Sequence, residues 1–265
     1  MTTAYDRLKT ARNTARPTGR AYVHELFRDR MDLCGDRRFG EDPAILSGIG
    51  TLQGRPVTYI AIDKGVDLDS RMSNHFGCPM PEGYRKALRL MKQAEKFHRP
   101  VICFVDTLGA YCGAEAEERG QGEAIAENIL EMMGLRTPVI SVVIGEGGSG
   151  GALGLAVANF VYMLENAIYS VISPKGCASI LWKDASRELD AAEALRITAP
   201  DLLELGVIDG VIDEPKGGAH TNAEKTAAAV KAAILAGLDA CAGLSGEELR
   251  EQRYRKFRAM GVFGE

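Results

Sequence analysis

Residues 138–158 read PVISVVIGEGGSGGALGLAVA, and this stretch decides the fold. Pro138 to Ile144 is a short apolar run, broken only by Ser141 and rich in β-branched residues, which reads as a strand buried on both faces. Five glycines then fall within the seven residues Gly145 to Gly151. Small apolar residues follow, and a helix is expected over Ala152–Ala158. A buried strand, a glycine turn and a helix in immediate succession form the repeating unit of a layered α/β protein with a mainly parallel sheet.

Outward from this stretch the pattern repeats. Pro100 to Val105 is a second apolar strand ending at Asp106-Thr107, and Gly122 to Leu135 reads as a helix with Glu123, Glu127 and Glu131 along its outer side. Glu82 to His98 is strongly amphipathic: Tyr84, Ala87, Leu88, Met91 and Ala94 recur at helical spacing, with Arg85, Arg89, Lys92 and Lys96 along another side. Ile45–Leu52 and Pro56–Ile62 flank Gly54 as a hairpin. Asp63 to Pro81, carrying Gly, Pro, Asn and Ser, reads as loop. Tyr22 to Met31 reads as a helix in a polar N-terminal arm, and Phe160 to Ile172 as extended chain. Helices are expected over Ala178–Trp182, Ala191–Arg196, Ala199–Leu205 and Ala223–Leu238. The tail opens on a capping box, Ser245-Gly246-Glu247-Glu248. The expected organisation is an arm over 1–40, a core domain over 41–245 and a C-terminal helix over 246–265, forming one domain.

A hydrophobic content of 46% with 26% charged residues is that of a globular chain, and a net charge of −4 gives no general attraction to nucleic acid or an anionic membrane. The six cysteines contain no Cys-x-x-Cys pair, so neither a metal site nor a disulfide framework is expected. Met1 to Arg20 lacks the apolar stretch of a signal peptide, and the run Ala152–Leu164 is too short to span a bilayer. A cytoplasmic location is expected.

Glycines let the backbone reach positive φ and let a ligand approach bare N–H groups. At a helix start those groups are unpaired and the dipole favours negative charge, so Gly145–Gly151 reads as an oxyanion site. Close helix–strand packing is the alternative use of the same glycines. Gly147-Gly148-Ser149-Gly150-Gly151 also spells Gly-x-Ser-x-Gly, the nucleophile elbow of a hydrolase, and His220 lies downstream to complete a triad. The loop Asp106-Thr107-Leu108-Gly109-Ala110-Tyr111-Cys112-Gly113 leaves the other buried strand and should converge on the same crevice. There Asp106 is either a cap or a site residue, and Tyr111 either packing or a contact. Cys177 has no histidine beside it, and His75 and His98 have no metal-like spacing.

Several blocks together resemble one family. They are Gly35-Asp36-Arg37, NHFGCPMPEGYRKALR (74–89), DTLGAYCG (106–113), AEAEERGQGEAIA (114–126), IGEGGSGGAL (144–153), YSVISPKGCASILW (169–182) and GGAHTN (217–222). In this order they resemble the α subunits of bacterial acetyl-CoA carboxylase carboxyltransferases, from about Arg16 to the C-terminus. The resemblance implies a crotonase-like superhelix of ββα units with helical extensions at both ends. It implies transfer of the carboxyl group from carboxybiotin, held on a biotin carboxyl carrier protein and not on this chain, to acetyl-CoA. The product is malonyl-CoA, the first committed step of fatty-acid biosynthesis.

The implied partners are a β subunit in an α2β2 assembly and the ATP-dependent biotin carboxylase, with zinc only in the β subunit. Gly150 and Gly151 are implied as N–H donors to the biotin oxyanion, with Gly147 and Gly148 shaping the turn. Asp106, Gly109, Ala110, Tyr111, Ser149, Ser173 and Gly176 are implied as substrate or biotin contacts, and Lys64, Arg85 and Arg89 as CoA or partner contacts. The chain departs from the family pattern at Leu108 and Cys112, where prolines are usual, at Lys175, and over Ile62–Val66. The alternatives are a carboxyltransferase for another short acyl-CoA, a stand-alone crotonase-like hydratase or isomerase, a Ser149 hydrolase, and a non-catalytic scaffold.

Overall fold

The computed structural model describes residues 2–262. The first residue of the expected arm and the last three of the expected C-terminal helix lie outside them. The chain begins with α1 (Ala4–Ala11), α2 (Gly19–Leu26), β1 (Arg28–Asp32), β2 (Ile45–Leu52), β3 (Arg55–Ile62), α3 (Leu68–Ser73) and α4 (Pro81–Lys96). It continues with β4 (Val101–Thr107), α5 (Ala114–Glu118), α6 (Gln121–Gly134), β5 (Val139–Gly148), α7 (Ser149–Leu153), β6 (Phe160–Leu164) and β7 (Ile168–Ser170). It ends with α8 (Pro174–Trp182), α9 (Glu188–Ala194), α10 (Ala199–Glu204), β8 (Gly210–Ile212), α11 (Ala223–Ala240) and α12 (Gly246–Arg258).

The hairpin β2–β3 closes on Gln53 and Gly54, whose φ values of 49° and 77° give the left-handed pair that a two-residue turn requires. From β3 the sheet turns parallel, in the order β1-β2-β3-β4-β5-β6-β8. Strand β5 is shared. Its first half, Ile140–Val143, pairs with β6, and its last three residues, Glu146–Gly148, pair with β7.

Every residue of β4 is buried, and so are all but the last of β5, so both faces of the sheet centre are covered. On one face Tyr22 of α2 stacks on Phe104 at 5.8 Å, and Gly237 of α11 packs over Ile140. On the other, Ser141 donates to Leu155 O at 2.6 Å, behind the packed pair α4 and α6. At roughly 25 cal/mol per Å² of apolar surface, this two-sided burial is the dominant stabilising term.

Four local expectations change. The helix expected over Tyr22–Met31 ends at Leu26, and Arg28–Asp32 becomes an edge strand antiparallel to β2. All five of its side chains are exposed, so it carries no apolar alternation to announce it, and its charges suit an edge. The supposed turn at Gly145 is strand as far as Gly148, because β7 supplies a partner there. The helix expected over Ala152–Ala158 is a single turn three residues earlier. Within Asp63–Pro81, Asp67 and Ser70 form a capping box that starts the short helix α3.

Candidate active site

The site grows from a flaw in the β4–β5 ladder. Pairing runs in register from Val101↔Val139 to Val105↔Val143, then slips to Thr107↔Gly147. The Asp106 side chain fills the slip: its Oδ1 accepts the Glu146 backbone N–H at 2.8 Å. A Cβ on Gly145 would lie 2.3 Å from that same oxygen, so residue 145 must be glycine.

Close approach accounts for most of the remaining glycines. A Cβ on Gly148 would lie 2.0 Å from Leu108 O, one on Gly151 2.5 Å from Ala110 N, and one on Gly147 2.8 Å from the Tyr169 ring. None of the five glycines has positive φ, contrary to the expectation that conformational freedom explains them; in the run Gly145–Gly151 only Ser149 does, at 47°. Gly150 differs, since its Cβ would meet only an Ile125 methyl at 3.6 Å, an ordinary contact. Packing thus demands four glycines and leaves Gly150 to another purpose.

Gly148 caps α7 without a side chain. The N–H groups of Gly150 and Gly151, in the first turn, therefore have neither an intrahelical acceptor nor a capping side chain. Gly150 lines an apolar groove with Leu153, Tyr169, Val171, Leu195, Ile197, Leu202 and Val207, and Gly151 is buried directly behind it. A second crevice lies between Leu108, Gly147–Ser149 and Ser170–Pro174. A third, more polar, lies among Arg12, Arg16, Lys64, Arg71, Phe76, Asp106, Leu108 and Glu146.

A chain of ion pairs joins these walls. Glu188 of α9 faces Arg12 at 3.8 Å, Arg12 Nε meets Glu146 at 2.9 Å, and Lys64 Nζ lies 3.3 Å from Glu146 and 2.7 Å from Asp106. Burial alone would lower the Lys64 pKa, but the two carboxylates outweigh it and hold the ammonium above its ordinary value. Nearby, Arg16 grips Glu214 through two bonds of 2.8 Å and also donates to Ile144 O, pinning the arm to the end of β5.

The expected site residues divide accordingly. Asp106, Gly147, Gly148, Ser149, Gly150, Gly151, Gly109 and Ala110 come together, and Ser173 lines the second crevice while accepting the Gly176 N–H at 3.1 Å. Tyr111 lines none of the three crevices. Its ring packs on His75 at 4.9 Å, and Glu115 beside the phenol raises its pKa. Arg85 and Arg89 also stand apart. Arg85 spends its guanidinium on Asp36, Glu82 and Arg119 O, and Arg89 on Cys34 O and Gly35 O. Sequence reading missed Arg12 and the apolar groove; the one available signal was Glu146, a lone acid inside a glycine run.

Ser149 has the positive φ of an elbow, but among the described residues its hydroxyl hydrogen-bonds no histidine. The imidazole of His220 is instead 3.1 Å from Asn13 Nδ2. Among the described residues no group of three His, Cys, Asp or Glu is placed to hold a metal, and no helix is long and apolar enough to cross a membrane.

Residues 1–261 match the family described as acetyl co-enzyme A carboxylase carboxyltransferase-like. The acetyl-coenzyme A carboxylase carboxyl transferase subunit alpha of Listeria monocytogenes serotype 4a is 56% identical over 98% of this chain and 82% of its own. The protein of the same name from Clostridium botulinum is 52% identical over 99% and 96%. In fold, the transcarboxylase 12S structure superposes with a TM-score of 0.68 at 19% identity, over 84% of this chain and 41% of that one. A Pseudomonas malonate decarboxylase hetero-tetramer gives 0.66 at 16% identity, over 82% and 86%. With a site framed by two strand ends and a family match along almost its whole length, the chain belongs to the acetyl-CoA carboxylase carboxyltransferase α-subunit family, which is biotin-dependent and crotonase-like in fold.

Proposed function

We propose that this chain supplies the biotin half of a carboxyl-transfer site whose acyl-CoA half lies on a separate β subunit. The observation that carries this reading is the pair of uncapped N–H groups at Gly150 and Gly151, of which Gly150 lines an apolar groove and Gly151 lies buried behind it. Such a pair suits a ureido oxygen that gains negative charge during transfer, while the groove suits the apolar ring and chain behind it. Carboxybiotin, delivered by a carrier protein and loaded by an ATP-dependent biotin carboxylase, supplies the activated carboxyl group. The acceptor is the methyl carbon of acetyl-CoA, giving malonyl-CoA.

The residues of this chain do no covalent chemistry in this reading. Backbone donors hold charge, and Asp106 and Glu146 hold the strand ends that carry those donors. Preorganisation of this kind supplies most of the rate because it favours the transition state over the bound substrate. The assembly is an α2β2 complex in the cytoplasm, with any zinc on the partner.

The test is co-expression with the neighbouring β-type subunit, followed by carboxyl transfer between malonyl-CoA and free biotin. Wild type should be active. Gly150→Val should lower kcat by about tenfold or more, because Ile125 leaves room for the fold but the groove narrows at the donors. Gly151→Ala should instead fail to fold normally. A stable complex inactive with every short acyl-CoA would sink the reading. So would fluorophosphonate labelling that disappears in Ser149→Ala.

A further inference from the structure

Two carboxylates meet where β4 and β5 lose register. Asp106 completes the ladder with its side chain, and Glu146 is the residue whose N–H it accepts. Both are buried, and Lys64 lies between them with its side chain 21% exposed. Lys64 comes from a third segment, just past the end of β3. Among the described residues no other lysine touches either acid, and of the two acids Arg12 reaches only Glu146.

We infer that Lys64 is a positioning residue for carboxyl transfer, resting on the function proposed above. Its ammonium clamps Asp106 and Glu146 together and so sets the distance between the Leu108–Ala110 loop and the glycine segment. That distance is tight: Leu108 O stands where a Cβ of Gly148 would be, and Ala110 N where one of Gly151 would be. A shift of the loop is therefore transmitted by contact to the donors at Gly150 and Gly151. Lys64 touches no substrate; it acts through the two acids.

The charges around this clamp define its signature. Asp106 and Glu146 face Lys64 from β4 and β5. Arg12 faces Glu146 from the arm. Arg16 is spent on Glu214 and Ile144 O, and Arg71 donates to carbonyls of Gly65 and Thr14. The Cys78 thiol also feels Lys64, and burial keeps it protonated. Removal of Lys64 leaves two adjacent carboxylates with one arginine. The two like charges then face each other with less compensation, and the strand ends that carry them are no longer drawn together.

The experiment uses the co-expressed complex. Lys64→Met should lower kcat by about tenfold to a hundredfold at pH 8 with little change in KM. Lys64→Arg should recover much of the activity. The double variant Lys64→Met, Glu146→Gln should also recover it, since the carboxamide donates to Asp106 without adding charge. A kcat for Lys64→Met within about twofold of wild type at every pH overturns the inference. So does a deficit that neither Lys64→Arg nor the double variant relieves. Both outcomes presume active wild type; a wild-type complex that transfers nothing overturns the functional reading and this inference together.

Discussion

At Asp36 a single side-chain oxygen accepts three backbone N–H groups, from Arg38, Phe39 and Gly40 at 2.8–2.9 Å, while the other takes Arg85 Nε at 2.8 Å. Burial pushes this carboxyl up, but the backbone donors and Arg85 outweigh it and bring its pKa down to about 2. A pKa depressed on folding means the unfolded chain binds the proton more tightly. The carboxylate thus stabilises the fold above the unfolded value near 4, and that contribution is lost as pH falls towards 2. Asp36→Asn should cost about 2 kcal/mol at pH 7 in a urea titration, with the gap to wild type closing between pH 4 and pH 2. A gap of constant size over that range would refute the assignment. Asp36 was legible as part of a family block, yet its role was not, because Arg85 lies 49 positions away. The glycines show the same limit. Their clustering flagged a site, but the groups that exclude side chains there, Asp106 Oδ1 and Leu108 O, belong to another strand end.

Among the elements, α12 is held by an unusual anchor. Arg253 is fully buried and among the described residues meets no carboxylate; it donates to Met132 O, Leu135 O and Thr137 O and to Asn159 Oδ1. These carbonyls cluster at the C-terminus of α6, where the helix dipole presents negative charge. Burial still wins, lowering the guanidinium pKa to about 10. Arg253→Ala leaves the carbonyls unpaired and should cost about 3 kcal/mol or more by urea denaturation. Arg253→Lys, with a point charge instead of a planar fork, should fall between. Equal stability of all three proteins would contradict this. The long helices α4, α6 and α11 were legible as helical runs, α4 from the period of its apolar residues, and the strands β2 to β5 as short apolar runs rich in β-branched residues. The edge strand β1 and the three-residue β8 were not, because partners far along the chain create them.

The whole molecule leaves large apolar side chains in water. Val66, Leu68, Met72 and Phe76 are 69%, 66%, 60% and 51% exposed, and Leu108 is 54% exposed beside Phe76 at the polar crevice. Surface of this kind next to a site marks a docking face, which the proposed β subunit would cover. Amides of residues 66–76 should exchange with deuterium at least tenfold more slowly in the co-expressed complex than in the free chain. Leu68→Asp should weaken the complex while leaving the melting temperature of the free chain unchanged. Unaltered exchange there would place the partner elsewhere. The α/β class and the crevice between two strand ends could be read from periodicity and glycine spacing. The register slip that shapes the crevice could not, because it depends on how β4 and β5 meet.

The latch between Arg16 and Glu214 spans 198 positions. On a ribosome adding roughly 5–20 residues per second, the arm emerges some 10–40 s before its carboxylate partner. Until then Arg16 has no counter-ion and the arm cannot seat on β5, so Arg12 is not yet delivered to Glu146. Completion of the site is therefore timed by translation: the first segment made is among the last to lock, and a nascent chain short of residue 214 has no finished crevice.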